Sequence, residues 1–188
     1  MKIPALKTIV LVPLILIAVE MQAQKASTLK SHKVTVEGTS SLHDFTSEVT
    51  KVNWTGSVVT EGKTVKSISG VTVAMPVESI KSTKGDTMDE KTYEAFKSKQ
   101  NPTITFKMTN ATVTGNAVKA SGTISMAGVS KPATINATVS VQADGTVKLT
   151  GSQPITMTDY KMVPPKAVMG TIKVGEKVTI LFELVIIP

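Results

Sequence analysis

The chain has 188 residues with a formal net charge of +7, carried by 21 lysines and no arginine, and it contains no cysteine. Without cysteine there is no disulfide framework, no thiolate nucleophile and no thiol for lipid attachment. Without arginine there is no planar fork for bidentate phosphate or guanine contacts, which argues against a dedicated nucleic-acid reader. The lysines are scattered, which suits solvated strand faces and leaves room for weak attraction to anionic lipid or envelope polymers.

The first residues read as an address. Lys2 and Lys7 precede the apolar run Ile9 to Val19, which Pro13 interrupts, and cleavage after Ala23 makes residues 1–23 a signal peptide. The run is shorter than the ~20 residues a spanning helix needs. The expectation is export to the periplasm or beyond, with residues 24–188 forming one domain.

The segments Lys33 to Thr39, Glu48 to Thr60 and Thr64 to Val77 are rich in Val, Thr and Ser and read as three strands. His32 falls at the frayed start of the mature chain. Thr87-Met88-Asp89-Glu90 then resembles a capping box, and Lys91 to Lys99 continues as a short helix that Asn101-Pro102 ends. Strands resume at Thr103 to Val113, Ala117 to Met126, Thr134 to Val141 and Gly145 to Thr150. Three prolines mark Gly151 to Gly170 as irregular, with one short strand at Ile155 to Met157 and a loop at Lys161 to Lys166. Lys177 to Ile187 closes the chain. Seven to nine strands and one inserted helix follow.

Apolar side chains recur at every second position: Val71 to Val77, Ile104 to Met108, Ile124 and Met126, Ile135 to Val141, and Val178 to Ile186. A period of two places them on one oily face of an antiparallel sheet. A solidly packed interior is the ordinary outcome, and an apolar tunnel is the alternative. Bulky groups are few, one Trp, two Tyr and four Phe, and flexible methionines at 75, 108, 126 and 157 partly replace them. An outer-membrane barrel would need aromatic girdles that these residues do not supply.

No catalytic constellation emerges. The two histidines, His32 and His43, cannot form a multi-histidine metal site. Ser41-Leu42-His43-Asp44-Phe45 holds triad residue types, but near neighbours on one extended segment do not converge as a triad requires. A turn held by Asp44 explains them, with His43 at a sheet edge or touching a ligand head group. The carboxylates Asp86, Asp89, Glu90 and Glu94 suit the positive end of the helix dipole. Neither an enzyme nor a cofactor is expected.

Ser79-Ile80-Lys81-Ser82, the helix, and Asn101-Pro102-Thr103-Ile104-Thr105-Phe106 together resemble the middle of the YceI-like family. Ala120 to Val129 resembles that family's Gly-containing hairpin. Met157-Thr158-Asp159-Tyr160, Pro164-Pro165 and Ile172 to Val178 resemble its C-terminal part. Where many members carry Arg-Asp before the helix, this chain reads Lys84-Gly85-Asp86. The resemblance implies an all-β fold, an eight-stranded antiparallel lipocalin-like barrel with one short inserted α-helix, and an exported carrier of a long amphiphile. That ligand would be a polyisoprenoid, an isoprenoid quinone or a fatty-acid derivative.

The inward residues expected to bind it are Val73, Met75, Phe106, Met108, Ile124, Met126, Ile135, Val139, Ile180, Phe182 and Leu184, with Tyr93 and Phe96 closing one end. The expected partner is thus a long-chain isoprenoid or acyl lipid, not nucleic acid. Transient membrane-surface contact and pairing of two chains are further expectations. The competing reading is a ligand-free structural or adhesion β-domain of the cell envelope.

Overall fold

The computed structural model describes residues 25–167 and 171–188, so the segment read as a signal peptide lies outside the described residues. The strands are β1 (Thr28–Ser40), β2 (Phe45–Val49), β3 (Asn53–Glu61), β4 (Thr64–Pro76), β5 (Ile80–Ser82), β6 (Thr103–Thr114), β7 (Ala117–Met126), β8 (Val129–Val141), β9 (Val147–Thr156), β10 (Lys166–Ala167) and β11 (Ile172–Ile187). The one α-helix among the described residues, α1 (Asp86–Phe96), follows β5, and two short 3₁₀ turns cover Val77–Ser79 and Met157–Tyr160. All strand pairs are antiparallel, in the order β3-β4-β6-β7-β8-β9-β11-β1-β2-β5, with β10 on β11.

Eight long strands, from β3 round to β1, form the wall of a strongly curled, lipocalin-like barrel. The start of the chain's first strand returns to the sheet's far edge. The Ser27 amide donates to the Gly56 carbonyl at 2.8 Å, the Val58 amide donates to Ser27 Oγ at 2.8 Å, and the Ser57 hydroxyl donates to the Lys25 carbonyl at 2.7 Å. Gly56 lies at the irregularity in the β3–β4 register between Thr55 and Ser57, where a bulge turns the strand toward β1. The short β2 and β5 pair beyond β1 and finish the sheet.

Several local expectations change. The strand expected from Glu48 to Thr60 is two strands, because the Thr50 amide and hydroxyl both bond the Ser79 carbonyl and turn the chain between β2 and β3. His32 is not frayed; it pairs with Leu184 inside the β1–β11 ladder. The β9 strand runs through Pro154, since β9 pairs with β8 only between Val147 and Ser152 and the proline lies past that ladder. Pro132 lies likewise in the half of β8 that β9 leaves unpaired. The two strands therefore splay, and the turn at Met157–Tyr160 lies beside the gap, tied by the Lys131–Asp159 ion pair at 3.2 Å.

The capping box does not form. The helix begins earlier, with Gly85 as its N-cap and no side-chain cap, so Thr87 lies inside it. Asp89 is instead buried and accepts the Ser82 amide at 2.6 Å. Lys81 reaches it at 3.2 Å and donates to the Tyr93 hydroxyl at 2.7 Å. That hydroxyl donates to the Glu78 carbonyl at 2.9 Å. Helical spacing thus gives α1 two faces: Asp89 and Tyr93 bind β5 and the turn before it, while Met88, Thr92, Ala95 and Phe96 face the barrel.

Candidate functional site

The interior is solid at one end and hollow at the other. Val147 and Ile186, at most 1% exposed, lie with Val139 in buried core near the turn joining β8 to β9. Toward α1 the strands diverge around two adjoining apolar spaces. The outer, of about 370 Å³, runs beneath α1, β2 and β5, and the inner, of about 110 Å³, lies deeper among β3, β4, β6, β7, β8, β9 and β11. Met75, Ile104, Met126 and Ile180 border both, so these four side chains form the neck where the two spaces adjoin. A dry cavity of ~150 Å³ holds a benzene, so the two spaces together suit an alkyl or prenyl chain of roughly 15–20 carbons.

Eleven of the thirteen residues expected to bind ligand lie on these walls. Val73, Phe106, Met108, Ile124, Ile135, Phe182 and Leu184 line the inner space, Phe96 lines the outer, and Met75, Met126 and Ile180 line both. Two lie elsewhere. Val139 belongs to the packed end. Tyr93 turns toward β5 and the turn before it, where its hydroxyl pins the helix, so Phe96 alone of that aromatic pair lines the site.

The walls also contain residues that the alternation did not mark. Val34 and Val36 of β1, Phe45 and Val49 of β2, and Ile80 of β5 all line the site. Every methionine among the described residues does so too: Met75, Met88, Met108, Met126, Met157 and Met162. The signal for β1 was present in Val34-Thr35-Val36; Met162, on an irregular segment, carried none.

Two glycines open space for rings. Gly151 pairs with Phe182 across β9 and β11, and Gly38 pairs with Phe45 across β1 and β2. A Cβ at either glycine would lie 2.5 Å from the ring of its partner. In each pair the ring covers the bare backbone, which fixes the aromatic as part of the wall. Trp54 also lines the inner space, but its buried Nε1 has no hydrogen-bond partner among the described residues.

Polar groups gather at the mouth. Ser40, His43, Ser82, Lys84, Thr87 and Lys166 border the outer space. The turn carrying His43 is held by Ser40 rather than Asp44: Ser40 Oγ donates to the His43 carbonyl at 2.7 Å and accepts the His43 amide at 3.2 Å. His43 Nδ1 donates to the Asp44 carbonyl at 2.9 Å. Ser41 turns away to β11, where its Oγ accepts the Lys173 amide at 3.1 Å. Ser41, His43 and Asp44 therefore assemble no nucleophile, base and carboxylate relay.

A curled antiparallel barrel, plugged at one end and hollow beneath a helix at the other, is the class of protein these residues define. The chain belongs to the YceI-like family: the YceI-like domain profile matches residues 22–186. Among solved structures, Burkholderia cenocepacia BcnA is similar at 19% identity and a TM-score of 0.65, covering 82% of this chain and 95% of that one. A polyisoprenoid binding domain from Saccharophagus degradans, implicated in plant cell wall breakdown, is similar at 13% identity and a TM-score of 0.64, covering 86% and 97%. The YCEI protein of Campylobacter jejuni is similar at 20% identity and a TM-score of 0.55, covering 72% and 83%. No curated protein matches the chain.

Proposed function

We propose that this protein is an exported, non-enzymatic carrier that encloses a long amphiphilic lipid, a polyisoprenoid, isoprenoid quinone or fatty-acid derivative, with the tail in the barrel. The observation that carries this reading is that the two apolar spaces adjoin at the neck formed by Met75, Ile104, Met126 and Ile180. A void of this size with no charged group in its inner part gains most from a hydrocarbon occupant. Burying one CH₂ contributes about 0.8 kcal/mol, so a five-carbon prenyl unit contributes roughly 3–4 kcal/mol gross. Four such units, about 12–16 kcal/mol gross, leave about micromolar affinity after an association cost of roughly 4–8 kcal/mol. The family-level likeness to a polyisoprenoid binding domain supports the same ligand class.

The test is to express the full chain in a Gram-negative host, purify it from the periplasm without detergent, and record native and then denaturing mass spectra. A stoichiometric prenyl or acyl species is expected, on a polypeptide shortened to Gln24. An empty protein that also refuses added lipids would leave the ligand-free structural domain.

A further inference from the structure

Large apolar side chains are seldom left in water on this molecule, and the two most exposed, Leu42 at 65% and Val163 at 72%, both lie at the open end. Leu42 tips the turn between β1 and β2; Val163 tips the loop between the Met157–Tyr160 turn and β10. The start of β11 ties these tips together. The Ser41 amide donates to the Lys173 carbonyl at 2.9 Å, the Val174 amide donates to the Pro165 carbonyl at 3.1 Å, and Lys166 pairs with Lys173 in the β10–β11 register.

The charge around these tips leans positive. Lys84, Lys161, Lys166 and Lys173 are exposed and form no ion pair among the described residues. Of the nearby carboxylates, Asp159 is paired with Lys131, while Glu176, which accepts the neutral Thr158 hydroxyl and keeps its charge, stands with Asp44 and Asp86 against the four lysines. Lys166 and Lys173 stand directly opposite one another, an arrangement that destabilises a strand pair unless an anion joins it. Apolar tips ringed by cations match the boundary between phosphate head groups and acyl chains.

We propose that the open end of the barrel docks onto an anionic lipid bilayer, with Leu42 and Val163 entering the interface and the four lysines against its phosphates. The mouth bordered by His43, Lys84 and Lys166 then faces the membrane. This goes beyond the carrier reading, and docking can be measured whether or not the barrel loads a lipid.

The experiment is flotation of the purified protein with vesicles of phosphatidylglycerol and phosphatidylethanolamine, and with phosphatidylcholine vesicles. The wild type is expected to float with the anionic vesicles, and the L42S/V163S variant to bind about tenfold less or weaker still. Lys173→Glu, which converts the like-charged strand pair into an ion pair, is expected to bind about tenfold less while its Tm does not fall. V59S/I187S removes the other exposed apolar pair, 38% and 45% exposed, and should float like the wild type. Equal flotation of L42S/V163S and wild type, an equal loss in V59S/I187S, or failure of the wild type to float with anionic vesicles would each overturn the proposal.

Discussion

The ring of Phe182 in β11 lies over Gly151 in β9, its Cζ 2.5 Å from where a Cβ on that glycine would stand. The Asn136 carbonyl lies 2.8 Å from the same point, so a methyl group there meets fixed backbone as well as a ring. Gly151→Ala is therefore expected to destabilise the fold by roughly 1–3 kcal/mol and lower Tm by about 3–10 °C. A thermal melt followed by circular dichroism checks it; an unchanged Tm would mean that the ring does not pack there.

Met126 stands at the neck between the two spaces and is 3% exposed. Met126→Phe should obstruct the inner space while leaving the outer one usable. Affinity for a 16-carbon chain is expected to fall by about tenfold or more, since several methylenes at ~0.8 kcal/mol each lose their burial. An eight-carbon chain should bind as before. Met126→Leu, of similar volume, should preserve both, and Met126→Lys should abolish uptake. Isothermal titration of the chain-length series reads all of these outcomes, and a uniform loss across lengths in Met126→Phe would contradict the neck.

Asp89 is the buried carboxylate that holds α1 to β5 through the Ser82 amide and Lys81. Asp89→Ala leaves that amide without its acceptor, and a loss of about 1–3 kcal/mol is expected. The change should loosen the roof over the outer space. Hydrogen exchange should then quicken across Asp86–Phe96 and Ile80–Ser82 more than in β7 or β8. Uniform quickening would show global rather than local loosening.

Lys30 and Thr146 hold the Asp144 carboxyl well below its ordinary value of 3.8, Lys30 through a 2.8 Å bond. A carboxyl depressed in the folded state stabilises the fold above its unfolded pKa and loses that contribution as pH falls toward the folded value. The Tm gap between wild type and Asp144→Asn should be widest above about pH 4 and narrow on acidification. A gap that stays constant down to pH 2 would remove Asp144 as its source.

The wall of the barrel was legible because alternation reports which way a side chain points. Phe106, Ile124, Ile180 and Phe182 were found on the cavity for that reason. Whether facing side chains meet is a different question, decided by strand divergence, and period alone favoured a solid core over a tunnel. Both occur, at opposite ends, which is why Val139 falls in packed core. Tyr93 was misplaced because a helix of three turns can present two apolar faces, and Asp89 chose between them by binding Ser82. The splay of β8 from β9 was written in Pro132 and Pro154, but a proline signals a free edge only once its neighbours are known.

The six methionines of the wall set a limit on discrimination. An unbranched thioether with three rotatable bonds yields to whatever lies against it, so these walls impose a diameter and a depth but no fixed relief. Straight, unsaturated and methyl-branched tails of similar bulk should all be admitted. The protein taken from cells is then expected to carry a population of tails reflecting their local abundance, and whatever choosiness it has falls to the groups at the rim.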